Sequence, residues 1–357
     1  MPLPDAVPPP EDFAAFLGLS ARLGRDIRRT QGAGGNTSIK QDGVMWVKAS
    51  GTWLAEAEAR PITVPVRLDP LARALRENDP RAETAVDFVL AEGNAAGLRP
   101  SIETSFHAVL PQRVVAHFHC VDTIALAVRT DREALIAERL DALPGLAWTS
   151  VPYRRPGTPL ARAIDERMGE RPDVLVLFNH GLVVCGESVE EVAARIEAVT
   201  AALAVPPAPA PAPDRAALEA LAAGSPWQPA EEDAAHAPAL VPAALRFATA
   251  GAFYPDHVIF LGERVRVAED RAGLDRLAAE AEPSRLVLVP GRGVLQSRTL
   301  TLGGAAMVRC LAEVARRVPA EAPLVPLGPA DLHALLNWEA EQYRQTLDRA
   351  APQAAAR

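Results

Sequence analysis

The sequence predicts an α/β protein built in two parts. Three observations carry that expectation. Short apolar runs such as Val174 to Phe178 are interspersed with helical stretches, and strands mixed with helices make an α/β chain. The pair Asp42-Gly43 separates two strand-like segments, which is a strong hairpin signal. An alternating Pro/Ala run over residues 204–214 suits neither helix nor sheet and reads as an extended spacer. The spacer is expected to divide residues 1–203 from a smaller α/β part over residues 215–357.

Along the first part, Glu11 to Arg29 reads as a helix that stops near Gly32-Ala33-Gly34-Gly35. Asn36 to Lys40 and Val44 to Lys48 are the expected hairpin strands, and Ile62 to Leu68 another strand. Asp69 is placed to cap a helix beginning at Pro70. Glu103 to Leu110 reads as a short helix, Val114 to His119 as a strand, and Asp131 to Leu140 as a helix. The continuous apolar run Val174 to Phe178 fits a buried strand. Ser188 opens a helix whose first turn carries Glu190 and Glu191, a cap with favourable dipole charges. Beyond the spacer, Ala216 to Leu221, Ala243 to Ala248, Gly303 to Arg317 and Ala330 to Arg349 read as helices. His257 to Leu261 and Arg285 to Val289 read as strands. No internal repeat is visible.

Hydrophobic residues make up 49% of the chain and charged residues 23%, an ordinary soluble globular composition. A net charge of -8 argues against nucleic acid as the main partner, since phosphate-backbone binding needs a basic surface. It leaves room for an anionic substrate, which needs only local cations or amide donors. No apolar run reaches the roughly 20 residues of a membrane helix. The stretch Met1 to Pro10 lacks the basic and apolar regions of a signal peptide. Cys120, Cys185 and Cys310 are too few and too odd in number for a disulfide framework. The expectation is a cytoplasmic protein with no membrane or nucleic-acid partner.

The chemistry concentrates at Ala116-His117-Phe118-His119-Cys120. Alternate residues of a strand share a face, so both imidazoles project the same way. A third histidine, His180, ends the apolar run in Asn179-His180-Gly181. Three neutral imidazoles and one open position describe a catalytic metal site better than a structural one. Cys120 follows His119 directly but points to the opposite face of a strand, and reads as a small buried hydrophobe. Glu103, fourteen residues before His117 at the start of a helix, either complements the helix dipole or serves as a general acid/base beside the metal. It could also be a fourth ligand when no substrate is present. His107 lies one helical turn later and is expected to support the site or the fold. Gly32 to Ser38 and Lys48-Ala49-Ser50-Gly51-Thr52 are small-residue loops that could, with Ser101, cradle a phosphate or a polyol. The first lacks the Gly-Lys-Ser/Thr ending of a P-loop. Gly291-Arg292-Gly293 lacks the third glycine of a dinucleotide loop and is weak evidence for one.

At these residues the chain resembles the class II aldolase/adducin family. The matching pieces occur in family order: Gly34-Gly-Asn-Thr-Ser38, Lys48-Ala-Ser-Gly51, Pro100-Ser-Ile-Glu-Thr104, His117-Phe-His119, Pro152 to Thr158, and Asn179-His-Gly181. The resemblance covers roughly residues 13–203. Tyr254-Pro-Asp-His-Val258, Leu286 to Gly291 and Trp338 to Gln342 further resemble the aldolase portion of bifunctional rhamnulose-phosphate aldolase/alcohol dehydrogenase proteins. The dehydrogenase portion has no counterpart here, so no oxidoreductase activity is expected.

The resemblance implies a three-layer αβα fold around a mainly antiparallel sheet. It implies a divalent metal, usually zinc, with manganese or cobalt as alternatives, held by His117, His119 and His180. It makes Glu103 the acid/base and Asn36, Ser50, Gly51 and Ser101 the phosphate-binding set. Family aldolases often carry a second hydroxyl residue just before the glutamate, where this chain has Ile102. The reaction implied is retro-aldol cleavage of a ketose phosphate or related sugar acid through a metal-stabilised enediolate. A pentulose-phosphate 4-epimerase or a sugar-acid decarboxylase would use the same site. A non-catalytic adducin-like interaction module is the alternative of another class. Family members commonly form tetramers, so a homo-oligomer is expected. Tyr153, Tyr254 and Tyr343 are the tyrosines available for a further proton-transfer role, and the sequence assigns none of them.

Overall fold

The computed structural model describes residues 8–350, which fall into two compact units. The first comprises the chain up to Thr123 together with Ile136–Leu203. The second comprises Ile124–Leu135 and the chain from Ala204 onward. Residues 124–135, which the sequence reading had placed in the first part, group with the second; there Thr130 donates its amide to the Pro323 carbonyl at 3.0 Å.

In the first unit, helix α1 (Phe13–Arg25) precedes the hairpin of β1 (Asn36–Gln41) and β2 (Val44–Lys48). The turn residues Asp42 and Gly43 both have positive φ, the geometry that matches the twist of paired strands. Strand β3 (Thr63–Arg67) runs into α2 (Leu68–Arg76). Asp69 does not cap this helix. It lies inside the first turn, where its charge still suits the dipole. Helix α3 (Thr104–Val109) leads to β4 (Val114–Phe118), followed by α4 (Val121–Ala127) and α5 (Arg132–Leu140), whose residues within 124–135 belong to the second unit. Then come β5 (Trp148–Val151), α6 (Thr158–Asp165), β6 (Val174–Leu177), β7 (Gly181–Gly186) and α7 (Val189–Ala202). Ser188 caps α7 as expected, accepting the Glu191 amide at 3.1 Å.

Seven strands form one sheet in the order β3-β2-β1-β4-β7-β6-β5. Every neighbouring pair is antiparallel except β5 with β6. Helices α1 and α7 pack against β1, β4 and β7, while α2, α3 and α6 pack together over β2 and β3. Val47, Val64, Val66, Val115, Leu175 and Val183 join Leu71, Phe106, Leu160 and Ile164 in one buried cluster between sheet and helices. Tethering alternate strand residues into this cluster fixes which face of β4 carries His117, two positions after Val115.

In the second unit, the run over 204–214 has neither helix nor strand, as its composition predicts. Ala208 bonds through its amide to the Arg316 carbonyl at 2.7 Å. Helix α8 (Arg215–Ala222), β8 (Trp227–Pro229), α9 (Ala237–Leu240) and α10 (Pro242–Thr249) follow. Next is α11 (Pro255–Leu261), where the sequence suggested a strand over His257 to Leu261. The reason is physical. All seven residues of α11 are buried, so no polar face betrays a helical period, and Pro255 in the first turn fixes the helical φ. Strand β9 (Arg266–Val267), α12 (Arg271–Ala278), β10 (Leu286–Val289), β11 (Gly293–Ser297) and α13 (Leu302–Ala315) come next. The C-terminal helix expected over Ala330 to Arg349 is two helices, α14 (Pro329–Leu336) and α15 (Glu339–Ala350). Four strands pair in the order β8-β11-β10-β9. Gly291-Arg292-Gly293 is the turn of the β10/β11 hairpin, with Val289 paired to Gly293. Among the described residues no helix is long and apolar enough to cross a membrane.

Candidate active site

Three chain segments converge at one end of β4. His117 is the fourth residue of that strand and His119 lies one residue past its end. His180 sits in the tight loop between β6 and β7, whose strands pair with Leu177 opposite Gly181. Asn179 takes up the positive φ of +55° that this loop needs, a conformation asparagine tolerates. Gly181 has a steric duty. A Cβ there would lie 2.5 Å from the Phe118 carbonyl oxygen, so only glycine lets β7 start this close to the end of β4. Gly35 does the same on the other side. Its φ is +63°, and a Cβ would meet the His117 carbonyl oxygen at 2.8 Å.

His117, His119 and His180 are buried, and their ligand atoms gather within 4.8 Å of one another. His117 Nε2 and His119 Nε2 lie 3.2 Å apart. The His117 Nδ1–H donates to the Leu182 carbonyl at 2.8 Å, because a carbonyl can only accept. In the neutral ring that leaves the Nε2 lone pair facing the other two histidines. This backbone bond fixes the tautomer and the orientation of the His117 imidazole. Gln31 donates to the His119 carbonyl at 3.2 Å and to the Ile27 carbonyl at 2.7 Å, which holds the backbone beyond β4. A close-packed set of imidazole nitrogens, one with its lone pair oriented inward, fits a divalent cation with nitrogen preference.

Glu103 completes the cluster. It stands at the N-cap position of α3 but makes no capping bond. Its carboxylate turns instead toward the histidines, with Oε2 3.4 Å from His117 Nε2 and Oε1 3.4 Å from His180 Nε2. Oε2 also accepts from the Asn36 side-chain amide at 2.8 Å. Oε1 accepts no hydrogen bond. One oxygen of this buried carboxylate is therefore held by Asn36, and the other makes no hydrogen bond.

The two small-residue loops also meet here. Ser50 donates its amide to the Arg99 carbonyl at 2.9 Å, and Ser101 donates its own to the Lys48 carbonyl at 3.0 Å. The segment 48–51 therefore runs beside 99–101. Asn36 joins them, donating to Ser101 Oγ at 3.1 Å. The Ser50 hydroxyl is buried and has no hydrogen-bond partner. Gly51 has a φ of +73° in the same loop, and Ile102 is buried. Asn36 is the surprise of the set. Both of its amide donors go to Ser101 and Glu103, and its Oδ1 faces His107 Nε2. Its side chain is spent on the protein.

His107 is fully buried, and the other ring nitrogen pairs with Ser38 Oγ at 2.7 Å. Burial pushes its pKa well below the ordinary value, and His117 and Lys40 add to the effect, so the ring is neutral. Pro152 to Thr158 is anchored by Glu83, which accepts from Arg155 at 2.7 Å and from the Thr158 amide at 2.9 Å. Burial raises the pKa of the Glu83 carboxyl, but the Thr158 and Arg155 donors outweigh it and hold it below its ordinary value. Cys120 is a buried free thiol outside the histidine group, and burial raises its pKa. Sequence reading did not single out Gln31 or Glu83, and it took Ser38 only as the end of a candidate phosphate loop rather than as the partner of His107. Ser38 carried a legible signal, two positions after Asn36 on one strand face.

Residues 20–205 match the family model described as the class II aldolase and adducin N-terminal domain. A Bacillus subtilis protein named as the uncharacterized oxidoreductase YuxG is 32% identical over 193 residues, which is 51% of this chain. That match spans only 27% of the Bacillus protein. The N-terminal class II aldolase domain of a conserved Thermoplasma acidophilum protein is 26% identical, covering 57% of this chain and 97% of that one, with a TM-score of 0.47. A Thermotoga maritima sugar-phosphate aldolase is 15% identical, covering 54% and 92% respectively, with a TM-score of 0.44. The family match takes in more than half of the 357 residues, and the protein belongs to the class II aldolase/adducin family.

Proposed function

We propose that the protein is a divalent-metal-dependent carbon–carbon lyase that cleaves a ketose phosphate or a related sugar acid by retro-aldol chemistry. The observation that carries this reading is the Glu103 carboxylate, buried and 3.4 Å from both His117 Nε2 and His180 Nε2. His117, His119 and His180 would hold the ion, and zinc suits three imidazoles best. When bound, the ion supplies a Lewis acid for the negative charge that develops as the bond breaks.

The chain's own residues supply the rest. Glu103 moves a proton to or from the carbon released by the cleavage, acting through Oε1, since Oε2 is held by Asn36. The Ser50 hydroxyl, the Gly51 backbone and Ser101 bind the phosphate or polyol end of the substrate. The unpartnered Ser50 hydroxyl supports that placement. Asn36 contributes by fixing Glu103 and Ser101 in place. Burial of all four charged or imidazole groups keeps water from the reacting carbon. The small-molecule substrate accords with the net charge of -8, and we read the protein as a cytoplasmic homo-oligomer.

The test is a panel of ketose phosphates and sugar acids, given to metal-free and zinc-, cobalt- or manganese-loaded protein. Two carbonyl-containing fragments from one substrate, with metal only, support the lyase. A single isomer returned indicates an epimerase, carbon dioxide release a decarboxylase, and no bound metal with no turnover the interaction module.

A further inference from the structure

His107 has no place in the proton-transfer scheme above, yet it is fully buried in contact with it. The arrangement is ladder-like. Strand β1 presents Asn36 and Ser38 on one face, two residues apart. Glu103 and His107 lie one helical turn apart, Glu103 at the N-cap of α3 and His107 in its last turn. Asn36 meets Glu103 at 2.8 Å, and Ser38 meets His107 at 2.7 Å. His107 Nε2 joins the rungs by meeting Asn36 Oδ1.

The hydrogen polarities follow from the ends. A carboxylate can only accept, so the Asn36 amide nitrogen faces Glu103 and its oxygen faces His107. His107 Nε2 therefore carries the hydrogen. In the neutral ring Nδ1 accepts from the Ser38 hydroxyl. Every donor points the same way, from Ser38 through His107 and Asn36 to Glu103 Oε2, and bonds in such a chain strengthen one another. The other tautomer would set two lone pairs against each other at Asn36 Oδ1. Relief by an amide flip would then turn Oδ1 against the carboxylate. The tautomer of His107 thus selects the orientation of Glu103.

We propose that His107 is a positioning residue. Its Nε2–H locks the Asn36 amide, the amide holds Glu103 Oε2, and Glu103 Oε1 is left as the oxygen that exchanges the proton with substrate. The kinetic part of this inference rests on the lyase reading; the hydrogen-bond part does not.

The experiment has two arms. In zinc-loaded protein labelled with nitrogen-15 histidine, the side-chain nitrogen shifts of His107, assigned by loss of the signal in His107→Gln, are expected to be those of a neutral Nε2–H ring. A neutral Nδ1–H ring or a doubly protonated one would overturn the proposal whatever the protein catalyses. In the kinetic arm, His107→Leu is expected to lower kcat about 10–100-fold with zinc stoichiometry and KM unchanged, and His107→Gln, which keeps an N–H donor, to recover part of the loss. In a Glu103→Gln background His107→Leu should lower kcat no further, because the two act as a unit. Independent, multiplying losses would show that His107 does not work through Glu103. If the unsubstituted protein turned over no sugar, the lyase reading would fall while the nitrogen shifts still decided the role of His107.

Discussion

His117 Nδ1 donates to the backbone carbonyl of Leu182 at 2.8 Å, and that one bond turns Nε2 of the strand-borne histidine toward His119 and His180. Leu182 is also the β7 partner of Phe118, so the sheet register itself aims the imidazole. Because the acceptor is backbone, the orientation of the ring depends on the β4/β7 pairing rather than on another side chain. Removing the ligand is then the clean test. His117→Ala should lose stoichiometric zinc while the fold is kept, read by metal analysis beside circular dichroism. Zinc binding to the native state should stabilise the unsubstituted chain by about 4 kcal/mol when free zinc is a thousandfold above Kd. A chelator should lower Tm in that chain and leave Tm of His117→Ala unmoved.

Gly181 should not tolerate a methyl group. Its Cβ would stand 2.5 Å from the Phe118 carbonyl oxygen, against backbone that cannot rotate away. Gly181→Ala is expected to destabilise the chain by roughly 1–3 kcal/mol, in the range of overpacking. Because the clash lies between His119 and His180, zinc affinity should fall too. Denaturant titration and a competition assay with a zinc chelator read the two effects. Native stability and affinity in this variant would mean that β4 and β7 can separate without disturbing the ligands.

The second unit carries its own pH dependence. Burial lowers the pKa of His257 from 6.5 to about 4, and neither ring nitrogen has a hydrogen-bond partner. Below pH 6.5 the unfolded chain takes up a proton that the folded chain refuses until about pH 4. The stability linked to this ring is therefore complete above pH 6.5 and declines as the pH falls toward 4, by up to roughly 3 kcal/mol. His257→Phe should flatten that stretch of the stability profile by about one proton. An unchanged slope in urea titrations between pH 6.5 and 4 would show that the ring titrates normally in the folded chain.

All three cysteines are buried, and none forms a disulfide. Burial pushes the Cys185 thiol up to about 12, and that of Cys120 is raised as well. Native protein should therefore react slowly with thiol reagents, and unfolding in denaturant should release three reactive thiols under non-reducing conditions. Rapid modification of any of them in native protein would contradict the packing described.

Much of the site was legible because it is local. His117 and His119 sit at strand spacing, and Glu103 and His107 one helical turn apart. The hairpin turn at Asp42-Gly43 was equally local. What escaped the sequence was set by pairing between distant segments. Strand β7 went unread because its loop uses Asn179 rather than glycine for the positive φ, and Leu182 to Cys185 follows β6 too closely to look like a separate strand. Asn36 was legible as a polar residue after a glycine loop. That it faces Glu103 follows from its register opposite His117 across β1 and β4, which no local pattern encodes. Helix α11 was misread for a third reason, since uniform burial erases the period that separates helix from strand.

The central claim is that Glu103 moves the proton while the histidines hold the metal. Zinc-loaded Glu103→Gln, assayed for carbonyl release on a substrate the unsubstituted protein cleaves, tests it most directly. The account predicts one zinc per chain, unchanged, and kcat lowered by about 100-fold or more. Unsubstituted turnover in that variant, with zinc in place, would contradict it.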